Sequence, residues 1–436
     1  MNFKYNCLIK NARQIVTILR PDDTASTCLR GDAMKSPYVY QSRSLTEGYS
    51  IVIGQNGLIE AIGTDSEISS KFTGSTYESI IDAKGKCVIP GFVDAHTHPV
   101  WAGDRVHEFA LKLSGASYLD IHKAGGGIHF TVDATRDTTF DQLYKLFVDR
   151  YTRMISCGTT TLEAKSGYGL NTETEIKMLQ VLEKVKKTSR LEISSTFCGA
   201  HAVPKNTTSN YATDNIINEQ IPAIMKLNDS GDISVENIDV FCERGVFDID
   251  QTRRILTAGV ESGLAINFHG DELHPTGSAE LAASLNARAV SHLEECSTEG
   301  IEKLSKSATV AILLPSTAYL LRLKPPPVRE MLDAGVIVAL GTDFNPNAYC
   351  FSMPLIMNLA CVLFRMTMEE AIVAATLNAA ASIGRGATHG AIQAGRTGDV
   401  VVLNCDRWEN IIYQLGGETE LIEFVIKQGD IVYSKL

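Results

Sequence analysis

The sequence predicts an α/β protein: a TIM-like (β/α)8 barrel with a small β-sandwich domain formed from both chain termini. Three observations predict it. Eight short apolar runs recur through the middle of the chain, each followed by polar chain and a helix-like stretch. Both ends have another texture, of short Val/Ile-rich runs broken by Gln-Asn-Gly and Gly-Asp turns. Most of the ten histidines stand where an apolar run stops, and a barrel keeps its chemistry at the C-terminal ends of its strands.

Taken in order, residues 1–88 open the small β domain. "YSIVIGQNGLIEAIGTD" alternates β-rich runs with turns and reads as an antiparallel sheet. Residues 20–48 are polar and weakly periodic, which predicts a loop or insertion. The barrel follows over residues 89–383. Its strands are expected at 88–95 "VIPGFVDA", 157–164 "CGTTTLEA", 192–198 "EISSTFC" and 238–243 "IDVFCE". The other four are 263–269 "GLAINFH", 287–292 "NARAVSH", 308–314 "ATVAILL" and 336–343 "VIVALGTD". Between them, stretches such as "TETEIKMLQVLEKVKK" carry apolar residues at helical spacing. A doubly wound open sheet is the alternative, but no Gly-x-Gly-x-x-Gly follows an early strand. "KAGGGIH" reads as a flexible loop. Residues 384–436, with "GRTGDVVVLNCDRWENIIYQL" and "EFVIKQGDIVYSKL", return to β texture and close the small domain.

Composition narrows the function. The 436 residues are 44% hydrophobic, enough for a sizeable core. A net charge of −11 argues against a nucleic-acid partner, which calls for a basic footprint. No run of about 18 apolar residues is present, so no membrane partner is expected. The N-terminal twenty residues lack the apolar core of a signal peptide, and the ten cysteines form no Cys-x-x-Cys pair. Cys157, Cys198 and Cys242 sit in apolar stretches as small buried hydrophobes. A cytoplasmic protein with reduced thiols is expected.

The expected strand ends carry the candidate site. Strand 1 ends in His96 and His98, whose one-residue spacing turns both imidazoles to the same side, with Arg105 beyond. Strand 2 supplies Glu163, Lys165 and Tyr168, strand 3 His201, and strand 4 Glu243. Strand 5 supplies His269, Glu272 and His274, strand 6 His292, and strand 8 Asp343 with Asn345. A lone His-x-His divides evenly between a metal site and a structural pair. A further strand-end His and a strand-8 Asp favour the metal, since three imidazoles and one carboxylate hold Zn²⁺ or Fe²⁺ and leave a position for water. Simpler roles stand beside the sharper ones. Arg105 could pair with Asp104 or Glu108, and Tyr168 could pack a turn. His107, His122 and His129 read as surface or loop histidines, His274 as a local cap, and Glu163 as a group orienting a neighbour. Met331 and the Met353–Met368 region read as buried helix faces.

These residues resemble the amidohydrolase superfamily, a β/α barrel with His-x-His after strand 1 and Asp after strand 8. Within it, the blocks "PGFVDAHTHPVWAGDR", "LEAKSGYGL", "GAHAVP", "DVFCE", "HGDE", "SHLEE" and "GTDFNP" are similar to those of the imidazolonepropionase family over roughly residues 50–430. The resemblance implies one divalent metal, Zn or Fe, on His96, His98, His269 and Asp343. It implies a pocket lined by Arg105, Tyr168, His201, Glu272, His292 and Asn345. The implied reaction is hydrolysis of the ring amide of 4-imidazolone-5-propanoate to N-formimidoyl-L-glutamate by metal-activated water, in L-histidine degradation. Arg105 would grip the propanoate, while Glu272, His292 and Asp343 would move protons. A second metal near Glu243 is the less favoured arrangement, and Lys165 lies on the wrong strand to bridge one. One departure is visible: Asn347 and Ala348 follow "DFNP" where bacterial members carry Gly and a small hydroxyl residue, so Asn345 or the backbone must make that contact. The nearest rival, a guanine deaminase of the same superfamily, would not need Arg105. A non-catalytic scaffold would not need the four ligands. A homodimer is expected from the family and from base rates.

Overall fold

The computed structural model describes residues 4–44, 46–115 and 126–435. Seven strands open the chain: β1 (Tyr5–Ala12), β2 (Gln14–Ile18), β3 (Tyr38–Gln41), β4 (Tyr49–Gly54), β5 (Ile59–Thr64), β6 (Tyr77–Asp82) and β7 (Cys87–Pro90). Eight more form one parallel series: β8 (Phe92–Asp94), β9 (Thr159–Lys165), β10 (Glu192–Ala200), β11 (Asn237–Cys242), β12 (Ala265–Gly270), β13 (Ala289–His292), β14 (Val310–Leu313) and β15 (Ile337–Leu340). β16 (Val400–Leu403), β17 (Ile422–Lys427) and β18 (Asp430–Ser434) end it. The chain divides into two compact units: Met1–Asp94 with Arg153–Thr161 and Ser352–Leu436, and Ala95–Thr152 with Leu162–Phe351.

The first unit contains two sheets, ordered β5-β4-β1-β6 and β18-β17-β16-β7-β2-β3. The second of these joins the chain ends, because β16 pairs antiparallel with β7 from Cys87↔Leu403 to Pro90↔Val400. One core lies between the sheets: Ile9, Ile51, Ile53 and Ile81 meet Ile15, Val88, Val400, Val402 and Ile426, all buried. Two expectations are corrected here. Residues 20–48 are not all loop, since β3 adds to the edge of β2 and Met34 is buried in a short 3-10 turn, Gly31–Lys35. The stretch "WENIIYQL" forms a helical turn at Asn410–Tyr413 rather than strand.

The eight parallel strands run in unbroken sequence order, β8 to β15. A bridge between Thr97 and Phe344, with His98 N–H donating to the Phe344 carbonyl (2.8 Å), joins the two ends of the series. β13, β14 and β15 are buried at every position, as parallel strands covered on both faces must be. The intervening helices carry their own stop and start signals. Asn171 caps Thr172–Thr188, which ends in Lys186 and Lys187, and Asp248 with Gln251 forms a capping box on Ile249–Glu261.

The expected first barrel strand, 88–95, is two strands in two sheets. The break falls at Gly91, where a Cβ would stand 2.3 Å from Thr160 Oγ1, so only glycine admits that approach. β7 therefore serves the small sheets and β8 the barrel. Among the described residues no helix is long and apolar enough to cross a membrane.

Candidate functional site

The end of β8 carries His96 and His98, the end of β12 His269, and the segment after β15 Asp343. All four are nearly fully buried. The Nε2 atoms of His96 and His98 each stand 3.1 Å from His269 Nε2. Asp343 Oδ1 is 3.6 Å from His96 Nε2 and 3.9 Å from His98 Nε2. The far sides of two rings are fixed: His96 Nδ1 meets Ser291 Oγ at 2.8 Å, and His269 Nδ1 donates to Asp239 Oδ1 at 2.9 Å. The latter bond leaves the His269 Nε2 lone pair facing two other imidazole nitrogens. One lone pair accepts one good hydrogen bond, whereas a cation satisfies all three rings together. Burial holds His96 and His98 well below the usual histidine pKa, in the neutral form that ligates metal. Three nitrogens and a carboxylate oxygen are a donor set that fits a divalent cation.

Asp343 is held rather than loose. It accepts from the Thr317 hydroxyl and takes a left-handed φ of 48°, strained for a non-glycine residue. Behind His269 runs a buried chain of charges. Asp239 Oδ2 lies 2.7 Å from Lys165 Nζ, which also lies 2.6 Å from Glu163 Oε1; the Thr196 hydroxyl donates to that same Glu163 oxygen. One ammonium serves two carboxylates. Asp239 keeps its charge, with its pKa lowered to about 2 by His269 and Lys165 against the cost of burial. Glu163 is the carboxylate in excess, and burial pushes it up to about 7 despite Lys165.

A cavity beside these four residues is lined by His98, Arg105, Tyr168, His201, Glu272 and His292, with Asn345 and Asn347 at one side. Arg105 Nε donates to Thr131 Oγ1 (3.0 Å), and among the described residues it forms no ion pair with Asp104 or Glu108. His201 stacks on His98 at 4.6 Å and lies 5.2 Å from the Tyr168 ring. Its Nδ1 meets the Gly167 carbonyl (3.1 Å), and burial drives its pKa down to about 3. Glu272 Oε2 stands 3.6 Å from His292 Nε2. Burial and the neighbouring Glu294 push Glu272 well above the usual carboxylate range, while burial pushes His292 well below the histidine range.

Other candidates have local work. Glu243 accepts from the backbone N–H groups of Leu273 and His274 and pairs with His274 Nδ1 at 2.8 Å, so it fixes the turn carrying Glu272. It joins none of the possible metal-holding groups among the described residues. Asn345 Oδ1 accepts from the N–H of Asn347 and Ala348, Nδ2 donates to the Asp343 carbonyl, and the same side chain hydrogen-bonds the Asp343 carboxylate, so Asn345 holds Asp343 in place. His107 is about half exposed, His129 lies in the first turn of the helix Ile128–Asp137, and His122, with part of "KAGGGIH", lies outside the described residues. Met331, Met353 and Met357 are buried. Sequence reasoning missed Asp239, Ser291, Thr317 and Glu294. A carboxylate inside the apolar run "IDVF" was the available signal for Asp239; the hydroxyls gave none.

The profile of the amidohydrolase family matches residues 87–432. The chain belongs to the amidohydrolase family. Within this family it is 56% identical to a "Probable imidazolonepropionase" of Nematostella vectensis over 430 residues, covering 99% of both chains. A human protein of the same description is 54% identical, covering 98% of this chain and 99% of its own. Solved structures share the fold at low identity. An adenosine deaminase from Xanthomonas campestris with bound zinc has a TM-score of 0.69 at 16% identity, covering 98% of this chain and 93% of its own. A guanine deaminase from C. acetobutylicum with bound guanine has a TM-score of 0.69 at 15% identity, covering 98% and 99%.

Proposed function

We propose that this amidohydrolase hydrolyses the ring amide of 4-imidazolone-5-propanoate, yielding N-formimidoyl-L-glutamate in L-histidine degradation. The observation that carries the reading is Arg105, a guanidinium lining the same cavity as His98 and Asp343. Its planar fork suits a propanoate carboxylate, which guanine lacks. Full-length similarity to proteins described as probable imidazolonepropionases supports the same substrate.

His96, His98, His269 and Asp343 would hold one divalent cation, zinc or iron. Bound there, the cation would acidify a water and polarise the amide carbonyl. The residues of the chain do the rest. Arg105 anchors the carboxylate, while Tyr168 and His201 fix the ring and Asn345, which lines the same cavity, borders it. His292, kept neutral by burial, and Asp343 are the acceptors for the proton lost by water as its oxygen bonds to the carbonyl carbon. Glu272, kept protonated by burial, gives a proton to the ring nitrogen as the C–N bond breaks. The proton taken from water makes good that loss, so water is the only reactant consumed.

The test is turnover by metal-replete protein, with product identified by mass spectrometry and guanine assayed in parallel. N-formimidoyl-L-glutamate from the imidazolone, without turnover of guanine, is the expected result. Guanine turnover without hydrolysis of the imidazolone would overturn the reading.

A further inference from the structure

Three buried polar atoms beside the cavity lack hydrogen-bond partners among the described residues: His292 Nδ1 and both carboxyl oxygens of Glu294. His292 and Glu294 are each 2% exposed. Buried polar atoms are rarely left unsatisfied in a folded protein, and a buried carboxyl group with no partner is costly to keep. Here the unpartnered atoms face each other, with His292 Nδ1 3.8 Å from Glu294 Oε2. The separation exceeds a hydrogen bond and is small enough for side-chain rotation to close.

The backbone holds this pairing in place. His292 and Leu293 both take left-handed φ angles, 79° and 69°, which two consecutive non-glycine residues rarely do. Leu293 N–H donates to the Gly270 carbonyl (3.1 Å) and Glu295 N–H to the Asp271 carbonyl (2.8 Å), so the strained turn is pinned to the end of β12 on both sides of Glu294. Strain fixed this firmly brings a carboxyl group back toward the ring from which the chain has just departed.

We propose that Glu294 is a positioning residue for His292: one of its carboxyl oxygens accepts from His292 Nδ1–H, which fixes the ring and leaves the Nε2 lone pair directed into the cavity. The inference rests on the hydrolytic role of His292 given above. Glu294 is not itself among the residues lining the cavity; it acts through the histidine. Without it, the neutral ring can place its proton on either nitrogen, and the Nε2–H form cannot take a proton from water.

The test compares metal-replete parent protein with Glu294→Leu, using Glu294→Met to decide if the leucine variant misfolds. Bound metal is expected to stay at parental level and Tm to stay near it, because the apolar side chain that removes one hydrogen bond also removes a buried acid. kcat is expected to fall about 10- to 100-fold with KM within about 3-fold. Side-chain ¹⁵N NMR, assigned through His292→Asn, should show His292 as the Nδ1–H tautomer in the parent and a shift toward Nε2–H in the variant. Glu294→Gln, which keeps an acceptor oxygen, should recover part of both. Parental kcat, or unchanged His292 nitrogen signals, overturns the proposal. If the parent leaves the imidazolone intact, the proposed reaction fails, while the tautomer measurement still decides the role of Glu294.

Discussion

At the scale of single residues, groups that bind are distinct from groups that move protons. Arg105 is 8% exposed, so its pairing with a substrate carboxylate would be shielded from water. Losing one partner of such a pair costs about 2–5 kcal/mol. Arg105→Met should therefore lower kcat/KM roughly 30- to several-thousand-fold with metal content unchanged. An unaltered kcat/KM would take Arg105 out of the pocket. Glu272→Gln and His292→Asn should fail in another way. Both should keep their metal and lose kcat by about 10²- to 10⁴-fold, far more than they change KM. Metal lost in step with activity would make the residue a ligand or its support. His292 was legible in sequence because an imidazole ends an apolar run, and Glu272 because it follows one closely, whereas the role of Arg105 rested on the family resemblance. Ser291 and Thr317 were not legible, since a hydroxyl in a buried strand or helix is ordinary and only its neighbour reveals its use.

At the scale of elements, β9 and β11 are tied by Lys165, which is completely buried between Glu163 and Asp239. Lys165→Met leaves two buried carboxylates uncompensated and should cost about 3–5 kcal/mol of stability, measured by denaturant unfolding. A loss under 1 kcal/mol would mean the ammonium contributes little. The same cluster sets a pH dependence. Asp239 is depressed to about 2, so its contribution is present above 3.8 and lost only as pH falls toward 2. Lys165 is raised, so its contribution is present below 10.5 and lost only at higher pH. Glu163 alone titrates between them. Raised from 4.5 to about 7, it contributes stability below 4.5 that is lost as pH rises through 7, at up to ~1.4 kcal/mol per pH unit. Glu163→Gln should flatten that decline between pH 5 and 7; an identical slope in both proteins would contradict the assignment. The eight barrel strands were legible from their apolar runs, but the split of 88–95 into β7 and β8 was not. Gly91 needs its neighbour Thr160 before its meaning shows, and β3 is four residues set in a polar stretch.

At the scale of the whole molecule, the fold was legible because its two periodic patterns differ, while the charge chain behind His269 was hidden by sequence separation. Lys165 and Asp239 lie 74 residues apart and meet only once β9, β10 and β11 stand side by side. A cation held by the folded state alone stabilises it by mass action, about 4 kcal/mol at a thousand-fold excess over Kd. Removing metal with a chelator should therefore lower Tm, and readdition should restore it. His269→Ala should begin at the lowered Tm and change no further on chelation. Equal Tm values with and without metal would separate the site from stability. The most direct measurement is anomalous scattering from crystals grown with metal and a non-hydrolysable imidazolone-propanoate analogue. The account predicts one metal peak among His96, His98, His269 and Asp343, with the analogue's carboxylate on Arg105. A peak elsewhere, a second peak at Glu243, or the carboxylate turned away from Arg105 would contradict it.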